Sequence, residues 1–130
     1  MAQIGFGMLA LVAIGRDDTP ADLDYLAEKL IGLRMFDDGK GKMNQSLIEV
    51  QGAILVVSEF TLFADVRGGK RPSFEEAAPA EVARPLYEKL LARIRAAGLV
   101  CESGRFQANM QVELVNQGPV TILIDSKRKF

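Results

Sequence analysis

The chain has 130 residues, 48% of them hydrophobic and 25% charged, with a formal net charge of −1. That length suits one domain, the balance excludes a disordered tail or a coiled coil, and the near-neutral charge excludes a global field that draws the chain onto nucleic acid. Histidine is absent, which excludes Ser-His-Asp and Cys-His catalysis, an imidazole base and histidine-ligated zinc. Any chemistry must then come from backbone groups, hydroxyls, carboxylates, lysine or the substrate. The one cysteine, Cys101, cannot form an internal disulfide, so a reducing cytoplasm is the expected compartment. The apolar run 8–14 is far shorter than the roughly 20 residues of a bilayer span, and the start lacks the basic residues of a signal peptide. A compact fold of this size is expected to expose roughly 6,800 Å².

In chain order, Gly7 opens a buried-type strand over 8–14, apolar on both faces. Arg16, Asp17 and Asp18 turn the chain. Thr19 is a good N-cap, Pro20 suits the first helical position and Asp22 stands where a capping acid belongs. Leu23, Leu26, Ala27, Leu30 and Ile31 then form one apolar helical face, to about Arg34. Residues 37–42, DDGKGK, are a glycine-containing loop. The acidic pairs 17–18 and 37–38 lack a completing ligand, so no metal is expected. Gly52 marks a turn before a second buried strand, 53–57. That strand runs into 58–65, SEFTLFAD, which either continues as a strand or bends at a bulge.

Residues 67–72 are a basic, glycine-rich turn. A second helix lies within 79–97, with Leu86, Leu90, Ile94 and Ala97 on one face and Gly98 at the C′ position. A helix-interior proline costs about 3 kcal/mol, so Pro85 places the main start near Arg84, after a looser turn. Residues 99–101, 110–115 and 120–124 read as three closing strands, with Gly118-Pro119 as the hairpin turn between the last two. Residues 127–129 read as a frayed, solvated basic tail. The expected fold class is α+β: a single domain over 1–130, with an antiparallel-rich sheet closing towards a β-barrel and two main helices. There is no GxGxxG, P-loop or CxxC.

Four segments carry the reading further: Lys42-Met43-Asn44; 58–62, SEFTL; Arg71-Pro72-Ser73-Phe74; and 116–121, NQGPVT, preceded by Gly104-Arg105-Phe106. In this order and spacing the chain, from about Ile4 to Asp125, resembles the D-aminoacyl-tRNA deacylase family. The resemblance implies a cofactor-free homodimer that hydrolyses the ester joining a D-amino acid to the terminal ribose of tRNA; family members also clear mischarged glycine. It implies that Ser58, Phe60 and Thr61 are the SxFT signature lining the catalytic pocket, with Glu59 among the substrate-binding residues. It implies that Gly118 and Pro119 form a Gly-cisPro turn reaching into the partner subunit's site, where it excludes L-amino acids. Phe106 and Met110 fall on the segment that helps wall the adenosine pocket. The implied partners are D-aminoacyl-tRNA and a second copy, with no membrane and no DNA.

The chain departs from the family pattern twice. Glu59 stands where the family has Gln, so a neutral donor-acceptor becomes an acceptor-only anion when ionised. The family pattern also begins with a β-hairpin ahead of the first strand here, bearing an arginine that braces the Gly-Pro turn, and no residue of this sequence matches it. Without that hairpin, an open edge with unpaired backbone groups is expected.

An aminoacyl ester is already activated, so the catalyst mainly holds the carbonyl, stabilises the oxyanion and admits water. Backbone N–H groups around Phe60 and Thr61 are the candidates, and one such donor is typically worth about 10²–10³ in rate. The resemblance implies assistance from the tRNA's own 2′-hydroxyl. Thr61 as a nucleophile has no evident base to activate it. Taken singly, each feature has a plainer reading: Ser58 and Thr61 as strand hydroxyls, Phe60 and Phe63 as core, Gly118-Pro119 as a turn. Arg67, Lys70 and Arg71 are either a solvated turn or phosphate contacts near the acceptor end. The rival function is a non-catalytic nucleic-acid-binding or assembly module on the same scaffold.

Overall fold

The computed structural model describes residues 1–130. Its elements are β1 (Gly7–Val12), α1 (Pro20–Gly32), β2 (Phe36–Asp37), β3 (Met43–Gln45), β4 (Ala53–Ser58), a 3-10 turn (Phe60–Phe63), α2 (Ala80–Ala96) and β5 (Cys101–Ser103). Thr19 and Asp22 start α1 as the sequence predicts: the Asp22 carboxylate accepts the Thr19 N–H at 2.8 Å and its hydroxyl at 3.2 Å. Gly98, at φ +89°, ends α2 in the left-handed conformation that glycine adopts without steric cost.

β1, β4 and β5 form one sheet in the order β1-β4-β5, and both pairings are parallel. Met8 lies opposite Ile54 and Ala10 opposite Val56, which puts these side chains on one face. Against them pack Leu23, Ala27 and Leu30 of α1 and Ala83, Leu90 and Ile94 of α2, all in one buried cluster. The Tyr87 hydroxyl donates to the Val56 carbonyl at 3.1 Å inside this core. The Arg95 guanidinium donates to the Cys101 carbonyl at 3.2 and 3.0 Å, tying the end of α2 to the start of β5. Cys101 is buried and unpaired, and burial pushes its thiol up.

The expected antiparallel-rich sheet closing towards a β-barrel is incorrect. The main sheet has three parallel strands, the only antiparallel ladder is the short β2-β3 hairpin, and no sheet closes. The crossovers explain the parallel pairing: α1 lies between β1 and β4 and α2 between β4 and β5, and a long helical crossover returns a strand in the same direction. The late strands fail for want of a neighbour. Residues 110–115 and 120–124 form no ladder, and no backbone–backbone hydrogen bond involves residues 109–124. In consequence the chain exposes 9170 Å², about a third more than a compact fold of its size.

Two local expectations also change. α2 is regular from Ala80 rather than from Arg84, with Pro85 inside it. Pro85 and Glu81 both lie on the solvent side, so water can hydrate the Glu81 carbonyl that the proline leaves without a donor. Lys127 is no frayed residue: its ammonium lies 2.9 Å from Asp22 Oδ1 and 3.6 Å from Asp18 Oδ1, and Arg128 sits over the Tyr25 ring at 5.2 Å. Asp37 and Asp38 spend their carboxylates on their own loop, accepting the Gly39 and Lys40 N–H groups at 2.7 and 2.8 Å.

Asp22 connects sequence to pH dependence. Burial opposes its charged form, but hydrogen bonds from Thr19, Lys127 and Ser126 outweigh burial and lower its pKa to about 2. A carboxylate depressed in the folded state contributes stability that is present above its unfolded pKa and lost as pH falls through the folded value. The urea midpoint is therefore expected to rise as pH goes from about 2 to 3.8, and Asp22→Asn is expected to flatten that part of the curve. Parallel pH profiles for the two proteins would contradict this role.

Candidate active site at the carboxyl edge of the sheet

Parallel strands bring their carboxyl ends to one side of a sheet, where ligands bind in folds of this kind. Here that edge gathers Ile14 and Gly15 after β1, residues 58–61 at the end of β4, and Gly104 after β5. Ser58 pairs with Val12, and the Glu59 N–H extends the ladder one step by donating to the Val12 carbonyl at 2.7 Å. The backbone then neither continues as a strand nor bulges, but tightens into the 3-10 turn. Phe60 and Thr61 open that turn and are exposed, and their N–H groups have no acceptor within it.

Phe60 stands 56% exposed, with its ring edge-on to Phe74 at 5.1 Å between centroids. Phe74 arrives because Ser73 and Asp65 exchange backbone hydrogen bonds of 2.8 and 2.9 Å, while Ala77 bridges to Gly15. Phe63 turns back towards β1: a Cβ on Gly15 would stand 3.1 Å from its ring. The motif 71–74 and the motif 58–62 thus meet at one place.

At the end of β5, the Gly104 N–H donates to the Val56 carbonyl at 3.0 Å. Met110 is seated over Gly104: a Cβ there would come within 2.8 Å of the Met110 sulfur. Phe106 packs on the α2 side, 5.7 Å from the Tyr87 ring and beneath the Arg84 guanidinium at 4.9 Å. Phe106 and Met110 therefore flank the end of β5, while Ser58, Glu59, Phe60 and Thr61 form the end of β4.

The Gly118-Pro119 turn lies apart from these residues, exposed, with a cis peptide. Its hydrogen bonds are internal. Asn116 Oδ1 accepts the Val120 N–H at 2.8 Å and Asn116 Nδ2 donates to the Thr121 hydroxyl at 3.1 Å. Asn116 and Thr121, both within the 116–121 motif, shape the turn. The readable signal was an asparagine shortly before Gly-Pro, since Asn side chains close turns on nearby backbone. Phe74 and Gly15 went unassigned because their neighbours come from distant segments.

The basic turn divides in two. Arg67 grips Asp65 through contacts of 2.9 and 2.7 Å, which hold the Asp65 carboxyl well below the usual range. Lys70 and Arg71 are exposed and make no ion pair. Of the three, these two are free to meet an anion.

The sequence pattern of the family described as D-Tyr-tRNA(Tyr) deacylase matches residues 1–125. A "D-aminoacyl-tRNA deacylase" of Koribacter versatilis (strain Ellin345) is 59% identical over 124 residues, covering 95% of this chain and 83% of that protein. A protein of the same name from Symbiobacterium thermophilum is 56% identical over 130 residues, covering 100% of this chain and 86% of its own length. Among solved structures, one described as "c-Myc DNA Unwinding Element Binding Protein" superposes with a TM-score of 0.85 at 39% identity, covering 92% of this chain and 81% of that one. The chain belongs to the D-Tyr-tRNA(Tyr) deacylase family.

Gly118 is set by its conformation. It lies at φ +130°, and a Cβ there would meet Val120 Cγ2 at 2.9 Å and the Val120 nitrogen at 3.2 Å. Gly118→Ala is expected to reshape the turn. Amide chemical shifts should move across 116–121, and global stability should fall by no more than about 1–3 kcal/mol because the strain is confined to an exposed turn. Perturbation concentrated in β1 and β4 would contradict a self-contained turn.

Proposed function

We propose that residues 1–130 act as one deacylase domain, with the carboxyl edge of the sheet as its active site. As a member of the family, the chain is a D-aminoacyl-tRNA deacylase, a hydrolase of translation proofreading. The reading of the site rests chiefly on residues 58–61: β4 ends there in a turn whose first amides point out of the ladder, beside the exposed Phe60 ring.

In the proposed reaction, the Phe60 and Thr61 N–H groups hold the ester carbonyl oxygen. Water adds to the carbonyl carbon, and these N–H groups stabilise the tetrahedral oxyanion. Collapse breaks the bond to the ribose oxygen, releasing the free amino acid and the tRNA terminal hydroxyl. The neighbouring 2′-hydroxyl of the substrate relays the proton, a role that histidine cannot fill in a chain that has none. Phe106 and Met110 help wall the pocket for the terminal adenosine, and the Phe60 and Phe74 rings line the end of β4. The Gly118-Pro119 turn presents backbone to the substrate's α-carbon and rejects the L form for lack of room.

A second copy of the chain completes the site in this reading. Its support is the backbone of 109–124, which pairs with no other backbone, the exposed side chains of Leu114, Val115 and Leu123, and the large exposed area. The proposed compartment is the cytoplasm, where a lone thiol stays reduced. No helix of the chain is long and apolar enough to cross a membrane.

The deciding experiment follows hydrolysis of D-tyrosyl-tRNA and L-tyrosyl-tRNA. Rapid loss of the D ester alone is expected, and Asn116→Ala, which unties the turn, is expected to narrow the difference between the two. Binding without turnover would favour the non-catalytic module. For tRNA affinity, Lys70→Gln and Arg71→Gln are each expected to reduce the slope of log K against log salt by about 1, with a smaller change for Arg67→Gln. Equal effects at all three positions would show that the Asp65 pair does not restrain Arg67.

A further inference from the structure

We propose that Lys127 is a positioning residue for the deacylase reaction: its ion pairs with Asp22 and Asp18 set the arm 109–124, and with it the orientation in which the Gly118-Pro119 turn is presented to the second copy's site. This rests on reading that turn as the element that excludes L substrates.

The arm has no ladder to hold it, since its residues make no backbone–backbone hydrogen bonds. Its leading end is held by apolar contact, through Phe106 on the core and Met110 over Gly104. At its trailing end Ile124 packs against the core. Asp125 then turns the chain by accepting the Lys127 N–H at 2.8 Å on its side chain and the Arg128 N–H at 2.8 Å on its carbonyl. That turn aims the Lys127 ammonium at the start of α1. The only ion pairs between residues 109–130 and the rest of the chain are those Lys127 makes.

Its partners are built into the frame of the site. The Asp22 side chain is 10% exposed and caps α1; the Asp18 side chain is 9% exposed and takes the Gly15 N–H at 2.7 Å. Gly15 lies just after β1, against Phe63 and bridged to Ala77. One ammonium therefore joins the arm to the two carboxylates that fix the end of β1 and the start of α1. Solvent and salt screen the attraction of nearly buried carboxylates for a cation less than that of exposed ones.

The test uses the full chain with Lys127→Met and Lys127→Arg, assayed on D- and L-tyrosyl-tRNA at a temperature where circular dichroism shows all three proteins folded. Trypsin-independent limited proteolysis of 109–124, for example with chymotrypsin, runs alongside. Lys127→Met is expected to lose at least about tenfold in kcat/KM on the D ester, as a small misplacement of a positioning element does. It should also narrow the D-to-L ratio and be cut faster within the arm, and Lys127→Arg should restore most of each. Should Lys127→Met fail to fold, Lys127→Gln, which keeps a hydrogen-bond donor, takes its place. A folded variant with kcat/KM, D-to-L ratio and cleavage rate all within about twofold of the wild type would overturn the proposal, as would a loss that arginine does not restore. Wild-type protein inactive on the D ester would instead refute the functional reading, and the cleavage rates alone would then decide whether Lys127 holds the arm.

Discussion

The structure hangs on the parallel pairing of β4 with both its neighbours. Ile54 faces Met8 on one side and Cys101 on the other, and Val56 faces Ala10 and Ser103. Ile54 and Val56 are fully buried beneath α1 and α2, and burying each such side chain contributes about 1.5–3 kcal/mol. A slip of one residue would turn both out of the core. It would also move Ser58 away from Val12 and break the step by which Glu59 reaches the β1 carbonyl. The same burial that stabilises the sheet therefore fixes where the first amides of the 3-10 turn emerge.

The other side of that sheet is unfinished within one chain. Leu9 and Leu55 are half-buried and Leu11 is exposed, although parallel sheets are normally covered on both faces. The arm adds backbone with no backbone hydrogen-bond partner and several exposed aliphatic side chains. Each square ångström of apolar surface removed from water contributes roughly 25 cal/mol, so a surface of this kind favours association. The proposed second copy would cover it with the same elements that carry the turn.

The parts readable in the sequence were those governed by neighbours along the chain. Thr19, Pro20 and Asp22 specified the start of α1, Gly98 the end of α2, and the apolar runs at 8–14 and 53–57 the two central strands. The motifs at 58–62 and 116–121 pointed to the family. Illegible parts depended on what lies across space. Strand direction was misjudged although the evidence was present: a run apolar on both faces marks a buried parallel strand. The late segments are apolar-rich like strands, but composition specifies no neighbour. Lys127 looked like any lysine near a terminus, since nothing local says that two nearly buried carboxylates more than a hundred positions earlier face it.

The ionisable groups support chemistry run by backbone. Asp22, Glu49 and Asp65 are all shifted downward, and each serves a hydrogen bond that organises the chain: Asp22 at the start of α1, Glu49 on the Ser46 N–H, Asp65 with Arg67. A general acid or base working near neutral pH needs a carboxyl raised towards that range by burial or a like charge, and these three move the other way. With imidazole absent as well, the donors at the carboxyl edge are the Ser58 and Thr61 hydroxyls and amides whose direction is fixed by β4 and the turn that follows it. An oxyanion stabilised by such donors needs no proton from the protein, only accurate placement. Placement is what the buried ladder and the carboxylates of Asp18 and Asp22 supply, so charge in this molecule serves the frame of the proposed main-chain site.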